Sequence, residues 1–295
     1  MSAPAGLGTT RFVPRGTTRL TYEAAGDPDA PAVAMFHGLL ADRAVWRAMA
    51  TALADRGFRA LLIDARGHGS SAALSTRPYP PTELAADALA ILDHAGANPA
   101  HLVGDGWGAA IAIAVARMSP EHVRSLALMQ PDLPGILASD PDPAGRWAWQ
   151  TTREGRSAAA TAAGKGMTDR ALDLLLDPRL GPGWRARMDR PRLAAIKRYG
   201  GALGPILTGA EGQEPAPEIL AALTMPALIL RAPHPPEVDA RAAARLAALL
   251  PAAALADLTA SRAPDALAPD DPAVIAAVAA FLVEDRHGPS PTPSR

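Results

Sequence analysis

Residues 102–120 read LVGDGWGAAIAIAVARMSP, a short apolar strand that runs through glycines straight into an apolar helix. Gly104, Asp105, Gly106, Trp107, Gly108 and Ala109 have the small-x-Nu-x-small-small spacing of a strand-to-helix turn built to expose a nucleophile at its apex. The apex here is Gly106, which has no side chain to expose. Either the turn has lost its reactive group, or the same architecture serves a different chemistry.

Working outward, AVAMF at 32–36 is a continuous apolar run ending in His37-Gly38, RALLID at 59–64 is a second and VRSLALM at 123–129 a third. Between them lie segments apolar at helical spacing: RAVWRAMATALADRG, closed by Gly57, and a stretch from about Thr82 to Ala95. Buried strands alternating with helices predict a parallel sheet covered on both faces. TRFVPR and TRLTYEA, near the start, alternate like paired strands. The beat stops near Gln130 and resumes at PALILRA, 226–232. The intervening residues hold helical patches such as TDRALDLLLDP and PRLAAIKRYGGAL but no strand pattern, so they read as a helical insertion. A helix over PEVDARAAARLAALLP, a weak strand near AALADL and a helix over PAVIAAVAAFLVEDR restore the alternation. The expected organisation is a flexible N-terminus at 1–8, a core of 9–131 and 217–286, a helical cap at 132–216 and a disordered tail at 287–295.

The 295 residues are 48% apolar with a net charge of −1, ample for one large core. Near-neutral charge gives no electrostatic case for nucleic acid or an anionic membrane, which leaves a small molecule as the default partner. The chain has no cysteine, which excludes thiol catalysis, disulfides and thiolate metal sites. No apolar run reaches the roughly 18 residues a membrane span needs, and MSAPAGLGTT has neither a basic nor an apolar segment, so a cytoplasmic location is expected. No clustered metal ligands and no phosphate-cradling glycine loop occur, so neither metal nor cofactor is expected.

The series His37-Gly38, Trp46, Asp64 with RGHGSS, LVGDGWGAA, MPALILRA and DDPAVIAAVAAFL resembles the α/β-hydrolase fold from about residue 10 to 285. That resemblance implies an α/β fold: a mostly parallel eight-stranded sheet with helices on both faces and a helical lid. Trp107 beside the apex and the long insertion resemble the epoxide hydrolase and haloalkane dehalogenase branch. The resemblance also implies a triad, and all three of its positions read as replaced: Gly106 at the nucleophile, Pro235 in RAPHPPEV at the acid, and Asp265 where the histidine is due. It further implies an oxyanion hole from the backbone N–H groups of Leu39 and Trp107.

Among individual side chains, Asp105 reads first as a hydrogen-bonded structural residue and second as a carboxylate base. His37 shapes the oxyanion loop or transfers protons, and His234 is a candidate replacement base. Asp132 lies near the alternative acid position, while Asp64, Arg66 and His68 read as structural. Trp107, Asp132, Trp147, Trp149, Trp184 and Tyr199 are the candidate substrate contacts, suited to a flat apolar or aromatic ligand if they face a cavity and not the core. Two functions fit: triad-independent, cofactor-free chemistry of small-molecule, specialised metabolism, such as cyclisation, elimination or isomerisation, and a non-catalytic binder of a ligand or partner. Residual hydrolysis by water activated at Asp105, Asp132 or Asp265 is a third.

Overall fold

The computed structural model describes residues 8–16, 18–71, 77–259 and 267–287. Apart from Gly8 and His287, the expected flexible terminus and tail lie outside these residues, as does Asp265.

Eight strands form one sheet: β1 (Arg11–Arg15), β2 (Thr18–Ala25), β3 (Ala32–Phe36), β4 (Arg59–Asp64), β5 (Ala100–Asp105), β6 (Val123–Met129), β7 (Ala227–Arg231) and β8 (Ala253–Asp257). Their order is β1-β2-β4-β3-β5-β6-β7-β8. β2 pairs antiparallel with β1 and β4, and every other pairing is parallel. The helices are α1 (Arg47–Ala54), α2 (Pro81–Ala95), α3 (Trp107–Met118), α4 (Pro143–Gly164), α5 (Thr168–Leu180), α6 (Trp184–Arg187), α7 (Arg190–Tyr199), α8 (Leu203–Ala210), α9 (Pro217–Ala221), α10 (Glu237–Leu249) and α11 (Pro272–His287).

Every residue of β3 and β4 is buried, which is why these strands read as unbroken apolar runs and not as alternation. Side chains still alternate between faces. Val33 and Met35 pack with Trp46, Met49 of α1 and Val278 of α11, while Ala34 and Phe36 pack with Leu84 of α2, Ile111 of α3 and Leu246 of α10. Two cores therefore lie on either side of one sheet.

All the helices from α4 to α8 fall between β6 and β7. They carry a core of their own, with Leu172, Trp184, Ile196 and Leu203 buried together and Leu39 and Leu40 of the β3–α1 loop packed against it. Leu40 holds φ +88°, a region that costs a side-chain-bearing residue roughly 1–3 kcal/mol, so packing against the insertion compensates a strained loop.

The turn from β5 to α3 depends on three glycines for two different reasons. At Gly106 the backbone takes φ +52°, yet a Cβ there would meet nothing within 4 Å. At Gly108 a Cβ would overlap the carbonyl oxygen of Phe36 in β3, and at Gly104 it would overlap the backbone of Gly108 and Ala109. Glycine is thus required at 104 and 108 by close approach and at 106 by dihedral angle. Replacing Gly108 by alanine is expected to destabilise the fold by about 3 kcal/mol or more, against about 1–3 kcal/mol of pure backbone strain for Gly106→Ala. Urea denaturation of the two variants checks the order, and an equal loss would contradict it.

Candidate active site

The apex is pinned at both ends of its peptide. Gly106 N–H donates to Met129 O of β6 at 2.8 Å, and Gly106 O accepts from Asp132 N–H at 3.0 Å and from Ala109 N–H at 3.1 Å. Trp107 opens α3, so its N–H has no acceptor within the helix. Neither this N–H nor that of Leu39 is taken up by a hydrogen bond among the described residues.

Asp105 is the last residue of β5, and the position a Cβ on Gly38 would take lies 3.0 Å from its Oδ2. The carboxylate-bearing strand end and the loop that carries Leu39 therefore face each other. Contrary to its first reading as a hydrogen-bonded structural residue, the Asp105 carboxyl has no hydrogen bond and no ion pair among the described residues. It is recessed, retaining partial contact with solvent. Burial pushes its pKa up to about 7, and the positive charge of Arg192 on α7 offsets only part of that rise. Arg192 stands two helical turns before Tyr199 on α7 and is itself exposed.

Four rings stack beside the apex: His68 lies 5.0 Å from His37, 5.4 Å from Trp107 and 5.0 Å from Tyr199, centroid to centroid. His37 is fully buried. Its Nε2 accepts from Ala65 N–H at 3.1 Å, so Nδ1 carries the proton and donates to Gly38 O at 2.8 Å. Burial holds it neutral, its pKa lowered, and both nitrogens serve the loop, leaving none for proton transfer to a ligand. His68 donates from Nδ1 to Arg66 O at 3.2 Å, and its buried Nε2 has no partner among the described residues. Burial, then the neighbouring His37, lower its pKa to about 3. The Tyr199 hydroxyl donates to Asp42 Oδ2 at 2.6 Å. Burial and that bond raise the tyrosine to about 12, so it anchors the insertion to the β3–α1 loop.

Asp132 ties the insertion to the sheet from the other side. It accepts from Arg156 of α4 at 3.0 and 3.1 Å and from Arg179 of α5 at 3.1 Å, and Arg179 also reaches Asp239 of α10 at 2.8 Å. Burial alone would raise the Asp132 pKa; the two arginines bring it down to about 2. Its carboxylate is occupied by cations and unsuited to act as a base. Next to it an open cleft of about 600 Å³ runs between α3 and the insertion, bordered by Trp107, Ile111, Asp132, Trp149, Arg156 and Glu214. Asp105, Gly106 and Leu39 are absent from its walls, so this cleft adjoins the apex at Trp107 without containing it.

The other expected contacts divide. Trp149 lines that cleft, whereas Trp147, two residues away on α4 and so on another face, is 70% exposed. Trp184 is buried in the insertion's own core with Arg185 over its ring. His234 is exposed on the β7–α10 loop, with Pro235 half-buried beside it. Asp64 and Arg66 are consumed structurally: Asp64 accepts from Thr21, Arg43 and Ser70, and Arg66 binds Asp87 through two nitrogens. Residues not singled out from the sequence are Asp42, Arg156 and Arg192, each visible there only as one more charge. No group of three or more metal-ligating side chains occurs among the described residues, and no described helix is long and apolar enough to cross a membrane.

A family model described as alpha/beta hydrolase fold matches residues 31–255, and the chain belongs to that family. Epoxide hydrolase A of Mycobacterium tuberculosis is 36% identical over 131 residues, which are 44% of this chain and 41% of that protein. Epoxide hydrolase B of the same species is 36% identical over 108 residues, 36% of this chain and 30% of that one, so the matches span less than half of these relatives. Among solved structures, an alpha/beta hydrolase from Sphaerobacter thermophilus superposes with TM-score 0.73 at 23% identity, covering 92% of this chain and all of that one. The enol-lactonase of Burkholderia xenovorans gives 0.71 at 19%, over 94% and 100% of the two chains. At such identities the likeness is one of fold.

Two outcomes follow from the charges. Because folding raises the Asp105 pKa from 3.8 to about 7, the native state binds this proton more tightly than the unfolded chain, and stability falls as pH rises from about 4 through 7. Asp105→Asn should therefore melt above wild type at pH 8, by about 2–4 °C for each kcal/mol recovered, and match it at pH 4; thermal unfolding at the two values tests this. Asp132 has the opposite sign: its contribution is present above pH 4 and is lost toward pH 2. Asp132→Ala should cost about 2–3 kcal/mol at pH 7, less than a fully buried broken pair because Arg156 and Arg179 keep some contact with water, and chemical denaturation measures it.

Proposed function

We propose that the protein is an enzyme of small-molecule metabolism that uses Asp105 as its acid–base group, without a covalent intermediate and without a cofactor. The observation that carries this reading is the Asp105 carboxyl: unpaired, recessed, shifted to about 7, and beside an apex that offers open space in place of a side chain. A base poised near neutral pH suits removal of a proton from carbon next to a carbonyl. The enolate oxygen then accepts from the N–H groups of Leu39 and Trp107, each worth about 3 kcal/mol in such a role. Asp105, now protonated, returns the proton at another atom or protonates a departing group, which gives isomerisation, elimination or ring closure.

In this reading the segment 132–216 acts as a lid that keeps water from the apex, and substrates are small and apolar or aromatic. Gly106 and Pro235 stand where the family's nucleophile and acid are expected, which argues against ester or epoxide opening through a covalent intermediate. Asp132, saturated by two arginines, argues against water activation there. A binding protein without turnover is the competing reading, favoured by a cleft that borders Trp107 and not Gly106.

Proton exchange separates the two. Apolar and aryl ketones incubated with the protein in D₂O should lose their α-protons at a catalysed rate that rises with pH through about 7, as Asp105 ionises. Asp105→Asn and Leu39→Pro should each reduce that rate by about 10²-fold or more. Exchange that is absent for every ketone, or unaffected by Asp105→Asn, removes the catalytic reading.

A further inference from the structure

The cleft beside α3 has one feature its neighbours do not explain. Among its charged walls, Asp132 is answered by Arg156 and Arg179, but Glu214 forms no ion pair and no hydrogen bond among the described residues. Of the charged side chains in the lining, Glu214 is the one without a partner among the described residues.

Glu214 is also held in place by shape. A Cβ on Gly135 would overlap its Cγ, so the missing side chain at 135 is what admits the Glu214 stem to the cleft wall. Around it the walls are apolar, with Leu84, Ile111, Ile136 and Pro215, and with the half-buried indole of Trp149. A carboxylate without a counter-ion among the described residues, a tryptophan and a hydrocarbon lining in one cleft suit a compact organic cation whose charge is carried on carbon-substituted nitrogen.

We propose that this cleft binds a small organic ammonium ion, with Glu214 as counter-charge and Trp149 as the aromatic face. The site is independent of the acid–base reading of Asp105, which does not line it.

The test uses benzyltrimethylammonium and its neutral carbon isostere, neopentylbenzene, in ligand-observed NMR titrations of the whole protein. The cation should bind at least about tenfold more tightly than the isostere, a difference that a partly desolvated carboxylate and cation–π contact supply. Glu214→Gln should abolish the preference, and Gly135→Ala should do the same by displacing Glu214. Trp149→Leu should weaken the cation by about tenfold, while Trp147→Leu, on an exposed face of the same helix, and Asp105→Asn should leave it unchanged. Equal affinity for the isostere, a preference that survives Glu214→Gln, or binding lost in Asp105→Asn each overturns the proposal. A failed ketone exchange with intact cation binding would remove the acid–base reading alone.

Discussion

The site depends on the close approach of α3 to the strands beneath it. With Gly108 against Phe36 O and Gly104 against the first turn of the helix, α3 sits lower on the sheet than side-chain-bearing residues would allow. Everything near the apex inherits its position from that contact. The helix N-terminus is brought level with the loop after β3, Gly106 is bent to φ +52°, and Asp105 is left at the strand end facing Gly38. Close packing here is less a source of stability than a device for placing backbone N–H groups.

The treatment of charge follows a division. Around β2, β4 and α2 the buried carboxylates each meet an arginine: Asp64 with Arg43, Asp87 with Arg66, Glu23 with Arg43. Burying such groups is tolerable because each has its counterpart. At the apex the rule is suspended, since among the described residues the recessed Asp105 is unmatched and His68 keeps a bare nitrogen beside aromatic rings. Unsatisfied polar groups cost folding energy, and proteins retain them where the surroundings impose them or a ligand relieves them.

Much of the sheet was legible in the sequence because buried parallel strands announce themselves as apolar runs. AVAMF and RALLID became β3 and β4, and the apolar helix read after the glycines is α3, Trp107–Met118. The turn was legible because glycine spacing encodes sterics directly. The side-chain roles were less so. Trp147 and Trp149 differ by two positions, and which of them meets the cleft depends on how α4 rests on α10 and on the segment after β6, a tertiary matter. The unpaired state of Asp105 likewise depends on what does not reach it, for which a single chain of letters carries no sign. Arg192 and Asp42 gain meaning only when α7 is laid across the loop after β3.

Trp107 belongs to two environments at once. Its indole is stacked with His68 on one side of the turn and forms part of the cleft wall that Trp149 and Glu214 share, while its own backbone N–H opens α3. A molecule seated in the cleft therefore rests on the residue whose main chain borders the apex. If such a molecule alters the affinity of the apex for an anion by some factor, linkage requires an apex occupant to alter the cleft's affinity by that same factor. In that case occupancy of one would be a thermodynamic reading of the other, with Trp107 as the shared residue.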